Sequence, residues 1–282
     1  MLALPWIPIS LAAPAASLRV NRRWPLLLLS AGYGIAFVMN LLSATALAPL
    51  AALSVLAYAV IQPRYAALRY LGHALFIVLA VALGAHWLPG FHNPQVIGPV
   101  RYTPDAQSFT LYLNLDKPLV GCWILLVLPW TQAKGSLRRA IGVGAATAVL
   151  TAAVCLPLAC ALGLVGWAPK WPPMAWLWLL NNLLLVTISE EAMFRAYVQG
   201  GLGRLLQKMR GGDCLALLAA SALFGLAHFG GGWPWMLMGS VAGIGYGLAY
   251  RYGGLWAAVL AHVGLNLAHF ALFTYPMKQL GA

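Results

Sequence analysis

The stretch Trp24–Ile61, WPLLLLSAGYGIAFVMNLLSATALAPLAALSVLAYAVI, contains no Asp, Glu, Lys or Arg. A helix needs about 20 mainly apolar residues to cross a hydrocarbon core of ~30 Å. This run is about twice that length, so it predicts two crossings with a turn near Asn40–Ser43. The rest of the chain repeats the pattern. Hydrophobic residues make up 62% of it and charged residues 8%, whereas soluble domains carry about 25% charged residues. So little charge cannot cover a water-facing surface, and most of the outside must face lipid. In lipid the backbone must satisfy its own polar groups, which leaves helices or closed barrels. Runs of about 17–25 residues without period-two alternation select helices.

The predicted fold is therefore all-α: a polytopic transmembrane helical bundle with eight or nine crossings. Residues 1–18 are apolar but carry Pro5, Pro8 and Pro14 and no basic start. They read as an interfacial segment rather than a cleaved signal peptide or a regular spanning helix. Further helices are predicted at about Tyr70–Trp87, Ala140–Val165, Met174–Gly200, Cys214–Phe229, Trp233–Tyr250 and Leu255–Tyr275. Leu119–Trp130 is too short to cross unless it tilts, extends backward or is re-entrant. Two regions are expected. Residues 1–130 form an N-terminal membrane region of three or four segments, with a polar loop at 89–117. Residues 131–282 form a C-terminal membrane domain.

The 17 Lys and Arg against 5 Asp and Glu give a net charge of +12. The basic residues are not an aromatic-interleaved nucleic-acid patch. They fall in alternate loops: Arg19, Arg22, Arg23, Arg64, Arg69, Lys134, Arg138, Arg139, Arg204, Lys208, Arg210 and Arg251 on one side. The other side receives Arg101, Lys117, Lys170 and Lys278. The positive-inside rule makes the first side cytoplasmic, with the N-terminus in and the C-terminus out. Cys122, Cys155, Cys160 and Cys214 show no C-x-x-C spacing and read as small core residues. In Gly239–Gly247, small residues four apart allow close helix approach.

Ionisable residues deep in apolar helices are costly and point to function. Those here are Glu190, Glu191, Arg195, His228, His262 and His269. Glu191 and Arg195 are four apart, with Glu on the N-terminal side, and are expected to pair within the helix. Glu190 lies about 100° round the helix and needs a partner elsewhere, for which His228 is a candidate. His262 and Asn266, also four apart, share a face. At ~1.5 Å per residue, Glu190 lies roughly 21 Å before Arg204, His228 roughly 22 Å after Asp213 and His262 roughly 16 Å after Arg251. Three polar groups at one depth predict one site enclosing a water. A carboxylate base, a His that orients water and His/Asn donors to an oxyanion would together support hydrolysis. A Glu and two His could equally hold a catalytic zinc ion, and the residues alone do not separate these chemistries.

Glu190-Glu191-Ala-Met-Phe-Arg195 fits E-E-x-x-x-R, Phe224-Gly-Leu-Ala-His228 fits F-x-x-x-H, and His262-Val-Gly-Leu-Asn266 fits H-x-x-x-N. In this order, on successive apolar segments, the motifs resemble the CPBP family, which includes CAAX prenyl endopeptidases and bacterial Abi-type intramembrane proteases. The resemblance covers about residues 174–275, and Asn114–Gly121 is similar to a stretch found upstream in some bacterial members. It implies an intramembrane endopeptidase in which Glu190 activates water, His228, His262 and Asn266 complete the site, and Arg195 supports Glu191. Without an H-E-x-x-H motif the metal-free form is favoured, so no cofactor is expected; the alternative is zinc on Glu190, His228 and His262. The implied substrate is a membrane-anchored protein or peptide, and the implied setting is the bacterial inner membrane. No nucleic-acid partner is expected. The contrasting function is a non-catalytic immunity or scaffold protein, or a proton-coupled transporter. A transporter should show an internal repeat, which the two halves lack.

Overall fold

Each of the nine apolar segments forms a helix in the computed structural model, which describes residues 3–18, 21–62, 64–131 and 135–279. A further short helix precedes them. In chain order the helices are α1 (Trp6–Ser17), α2 (Arg23–Val38), α3 (Leu47–Ile61), α4 (Ala66–Gly84) and α5 (Lys117–Val127), followed by α6 (Leu137–Ala161), α7 (Ala175–Leu205), α8 (Gly212–Leu226), α9 (Trp233–Gly253) and α10 (Leu255–Leu272). The turn between α2 and α3 falls at Asn40, whose φ is 58°, in the place the uncharged run predicts. One departure from the all-helical expectation is a two-stranded sheet, β1 (Gln95–Val100) with β2 (Phe109–Tyr112), within the polar loop.

Among the described residues, five helices have the length and apolarity to cross a membrane: Ala44–Ile61, Ala66–Gly84, Leu137–Ala161, Ala175–Leu205 and Leu255–Leu272. Three shorter apolar helices are Arg23–Val38, Lys117–Val127 and Gly212–Leu226. Large apolar side chains stand outward on the long helices, among them Val78 on α4 and Val149 on α6, 67% and 69% exposed. A soluble protein would not leave such faces open. Cys122 and Cys155 are buried as expected, but Cys160 and Cys214 are exposed, so two of the four cysteines are not core residues. Arg19 and Lys134, two cations of the basic face, lie outside the described residues.

The chain divides into two compact units. The first comprises Met1–Pro94, Tyr112–Gln132 and Leu184–Ser189. In it the proline-bearing N-terminal segment is a helix, α1, packed on α2 and α5, with Ile9 against Gly32. Eleven residues of α5 rise about 16 Å, roughly half a hydrocarbon core. Nearly all of them are buried. Asp116 caps α5 by accepting from the Lys117 amide at 2.9 Å and pairs with His86 Nδ1 at 2.7 Å. Trp123 stacks on Phe76 at 3.7 Å and donates to the Leu53 carbonyl.

Gly121 on α5 meets α7 at Ser189, the residue before Glu190. A Cβ at 121 would lie 2.7 Å from Ser189 Cα and 2.9 Å from its Oγ. The obstruction includes backbone, which cannot swing aside. Gly121→Val is therefore expected to cost about 1–3 kcal/mol by overpacking. Gly142→Ala on α6, where a Cβ meets nothing within 4 Å, should melt at or above the wild-type temperature. A Gly121→Val protein melting like the wild type would show that α7 gives way at no cost.

The second unit comprises Gln95–Leu111, Ala133–Leu183 and Glu190–Ala282. Small residues set its helix crossings. On α8, Gly225 would drive a Cβ into Ser240 Oγ of α9, and on α9, Gly245 would drive one into Thr151 of α6. The helices therefore approach almost backbone to backbone, as the small residues of Gly239–Gly247 predict. Beyond α10 the chain runs back over this unit. Thr274 N donates to the Gly166 carbonyl at 2.8 Å, Gln107 N to the Met277 carbonyl at 2.8 Å, and Thr274 Oγ1 to the Asp105 carboxylate at 3.1 Å.

Lys170, in the loop after α6, is half-buried and donates to the Phe273 carbonyl. Burial lowers its pKa to about 8, against the opposing pull of Asp105. As pH rises through about 8 the folded state releases this proton, while the unfolded chain keeps it to about 10.5. The unfolded state binds more protons across that window, so stability is expected to rise with pH there. Replacing Lys170 by Met should flatten that part of the melting-temperature profile. Parallel profiles for the two proteins would remove Lys170 as the cause.

Candidate functional site

The two glutamates lie on a single α-helical turn of α7, Ile188–Glu191, between two wider π-helical stretches, Asn182–Thr187 and Ala192–Gln199. Such insertions re-aim the side chains around them and recur at functional sites. Glu191 and Arg195 are both fully buried, and Arg195 Nε lies 3.2 Å from Glu191 Oε2, the expected intrahelical pair. The Arg195 guanidinium carbon sits 5.3 Å from the centre of the Phe224 ring and 6.0 Å from that of Tyr246. Its charge is thus offset by one carboxylate and two aromatic rings.

The other oxygen of Glu191 reaches further than the spacing shows. Glu191 Oε1 lies 2.8 Å from His262 Nδ1, on α10. His262 Nε2 lies 3.8 Å from Glu190 Oε2. One imidazole thus stands between both carboxylates, and His262 faces Glu190. The ring is held on both sides. Tyr246 stacks on it at 4.4 Å and 12°, and Phe224 meets it edge-on at 5.5 Å. A carboxylate can only accept, so Nδ1 carries the hydrogen of the Glu191 contact and Nε2 is the ring nitrogen turned toward Glu190.

His228 lies beyond the end of its helix. α8 stops at Leu226, short of the Phe229 the apolar run predicts, because the chain enters the glycine turn 230–232. His228 Nδ1 is 2.8 Å from the Phe224 carbonyl, its ring 4.8 Å from the Phe224 ring. The carbonyl accepts, so His228 Nδ1 carries the hydrogen of that contact. Asn266, one turn beyond His262, donates through Nδ2 to Asn182 Oδ1 at 3.2 Å. His269 contacts the Thr274 carbonyl through Nε2 at 3.2 Å.

His228, His262, Asn266 and His269 share the wall of a cavity of about 90 Å³ with Cys155 and Tyr246, which is room for water among polar partners. Glu190 does not line it. A wider cavity of about 410 Å³ is lined by Asn182, His228, Asn266, His269, Trp235 and Tyr275, among others. His228, Asn266 and His269 stand in both walls. The contacts through His262 thus connect Glu190, Glu191 and Arg195 to the cavity shared by His228 and Asn266. Sequence reasoning missed Asn182, Tyr246 and the Glu191–His262 contact; an Asn pair inside an apolar run at 181–182 was the available signal for the first.

A zinc ion would need Glu190, His228 and His262 to converge. Among the described residues no three His, Cys, Asp or Glu side chains form a group that could hold a metal ion.

Residues 172–268 match the model of a protein family, Type II CAAX prenyl endopeptidase Rce1-like. The matched segment holds all three motifs and ends two residues past Asn266. No curated protein and no solved structure matches the chain. Helices long and apolar enough to cross a membrane fit an integral membrane protein, and the matched segment, about a third of the chain, is similar to that protease family.

Proposed function

We propose that the protein is an intramembrane endopeptidase that hydrolyses a peptide bond of a membrane-anchored protein or peptide, with Glu190 as the general base. The observation that carries this reading is His262 held between Glu191, at 2.8 Å, and Glu190, at 3.8 Å. The second gap is too long for a direct hydrogen bond and suits a water that donates one hydrogen to His262 Nε2 and one to Glu190 Oε2.

Glu190 takes a proton from that water as its oxygen forms a bond to the scissile carbonyl carbon. The carbonyl π pair moves to oxygen, and Asn266 Nδ2 donates to the resulting oxyanion. When the oxyanion collapses the C–N bond breaks, and the leaving nitrogen takes the proton back from Glu190. Glu191 fixes the tautomer of His262 and Arg195 balances Glu191. With its Nδ1 hydrogen engaged by Glu191 and its Nε2 turned to Glu190, His262 positions the water, and the oxyanion falls to Asn266. His228, at the cavity wall, orients water or the substrate amide. No step runs through a metal.

The same reading takes α2 to α10 as nine crossings, or eight if α5 is re-entrant. The membrane is the bacterial inner membrane, with the basic loops and N-terminus on the cytoplasmic side. Residues 131–282 form the catalytic membrane domain.

Mass spectrometry of membrane peptides, comparing cells with the wild type and cells with Glu190→Gln, tests the function. A precursor that accumulates only with the variant is the expected result. Identical peptide profiles with both proteins well expressed would retire the protease in favour of the scaffold or transporter.

A further inference from the structure

We infer that Asn182 is a positioning residue for this reaction, because its side-chain carbonyl sets the direction in which the Asn266 amide points. The inference rests on the protease reading and adds a residue outside the three motifs.

Asn182 opens the π-helical stretch of α7, eight residues before Glu190. An amide in an apolar helix is costly unless a partner meets it. Here the partner is Asn266, whose Nδ2 lies 3.2 Å from Asn182 Oδ1. Asn266 belongs to the walls of both cavities, and Asn182 to that of the wider one. The amide pair therefore stands where the two spaces adjoin, beside His228.

A side-chain amide has two faces of opposite character. Its nitrogen donates two hydrogens and its oxygen only accepts. Asn266 stabilises an oxyanion only with the nitrogen turned toward it; the flipped amide would present a carbonyl oxygen to a negative charge. Asn182 Oδ1 accepts one hydrogen of Asn266 Nδ2. That bond fixes the amide in one sense and leaves the second hydrogen for the substrate. Preorganised donors of this kind need no reorientation as charge develops.

Two near-isosteric substitutions separate this role from packing. Asn182→Leu fills the space, suits an apolar helix and removes the acceptor. Asn182→Asp keeps an acceptor at the same place but is costlier to bury. If Asn182 positions Asn266, the Leu protein melts at or above the wild-type temperature yet loses about tenfold to a hundredfold in kcat, with KM changed less than about threefold. The Asp protein melts lower and keeps most of its kcat. Packing alone reverses this order, with Leu active and Asp impaired.

The assay uses the full chain in proteoliposomes. Its probe is a quenched-fluorescent copy of the peptide that accumulates with Glu190→Gln. Wild-type turnover in Asn182→Leu, or equal kcat losses in Leu and Asp, overturns the inference; if Leu does not fold, Asn182→Ala reads the same loss. Glu190→Gln runs alongside. Full activity in that variant means the protease mechanism has failed. Loss there with active Asn182→Leu removes the role of Asn182 alone.

Discussion

Replacing Arg195 by Ala is expected to lower the stability of the folded protein by about 3–5 kcal/mol, the cost of leaving one partner of a buried ion pair alone. Both partners are fully buried, and Arg195 Nε lies 3.2 Å from Glu191. Without the guanidinium, the Glu191 carboxylate keeps His262 Nδ1 at 2.8 Å as a neighbour, but its charge is no longer balanced. The substitution also removes the guanidinium that lies against Phe224 and Tyr246. Glu190→Gln should cost much less: its side chain is 17% exposed, and an amide keeps the shape of the carboxylate without its charge. Melting temperatures and yields of the purified proteins in one detergent measure the difference. Equal melting temperatures would mean that Glu191 is protonated in the fold and needs no cation. Arg195→Lys sharpens the result. A lysine keeps the charge but loses the planar face that stacks on two rings, so it should recover part of the loss.

The layout of the chain was legible because its causes are local. An uncharged run of known length predicts a crossing, and spacing of four puts Glu191 on Arg195 and His262 on Asn266 within single helices. Contacts that depend on how helices cross were not legible. His262 is 71 residues from Glu191, and nothing in either motif says which of two adjacent glutamates an imidazole on another helix will meet. The depth argument grouped Glu190, His228 and His262, but depth carries no azimuth. His228 stood only as a candidate partner of Glu190, and the spacing did not show that α7 and α10 bring His262 Nε2 to 3.8 Å from that carboxylate. The π-helical stretches around Ile188–Glu191 compound this, since they shift the angular register on which a 100° step depends. The hairpin β1–β2 was hidden for another reason. Pro94, Pro99 and Pro104 make 89–117 read as irregular loop, and strands that short, closed by one partner, leave little alternation to find. Asn182 shows the remaining limit: one polar residue among apolar ones signals a partner without naming it.

Glu190→Gln is expected to lower turnover by ~10²–10⁴-fold, the usual share of a general base, while the protein stays folded. Glutamine can still accept a hydrogen bond from water through its oxygen, so water binds, but it cannot take the proton. The loss should therefore fall on kcat, with KM little changed. Asn266→Ala should lose ~10²–10³-fold through the oxyanion. His262→Ala removes the group that holds water against Glu190 and also the neighbour of Glu191, so it should lose turnover and stability together. That pairing distinguishes it from Glu190→Gln, which should lose turnover alone. Glu191→Gln is the informative control, because the two glutamates are neighbours in sequence with opposite assignments. It should still support the His262 ring through its amide oxygen and keep measurable turnover, at a cost in stability because Arg195 loses its carboxylate. A dead Glu191→Gln beside an active Glu190→Gln would exchange the two roles. Metal content tests the remaining premise. The purified wild type should keep its activity in the presence of a chelator and contain no stoichiometric zinc. If a chelator abolished turnover and zinc alone restored it, Glu190 would be bound to the ion and not free to take a proton. The base would then have to be sought outside Glu190, His228 and His262.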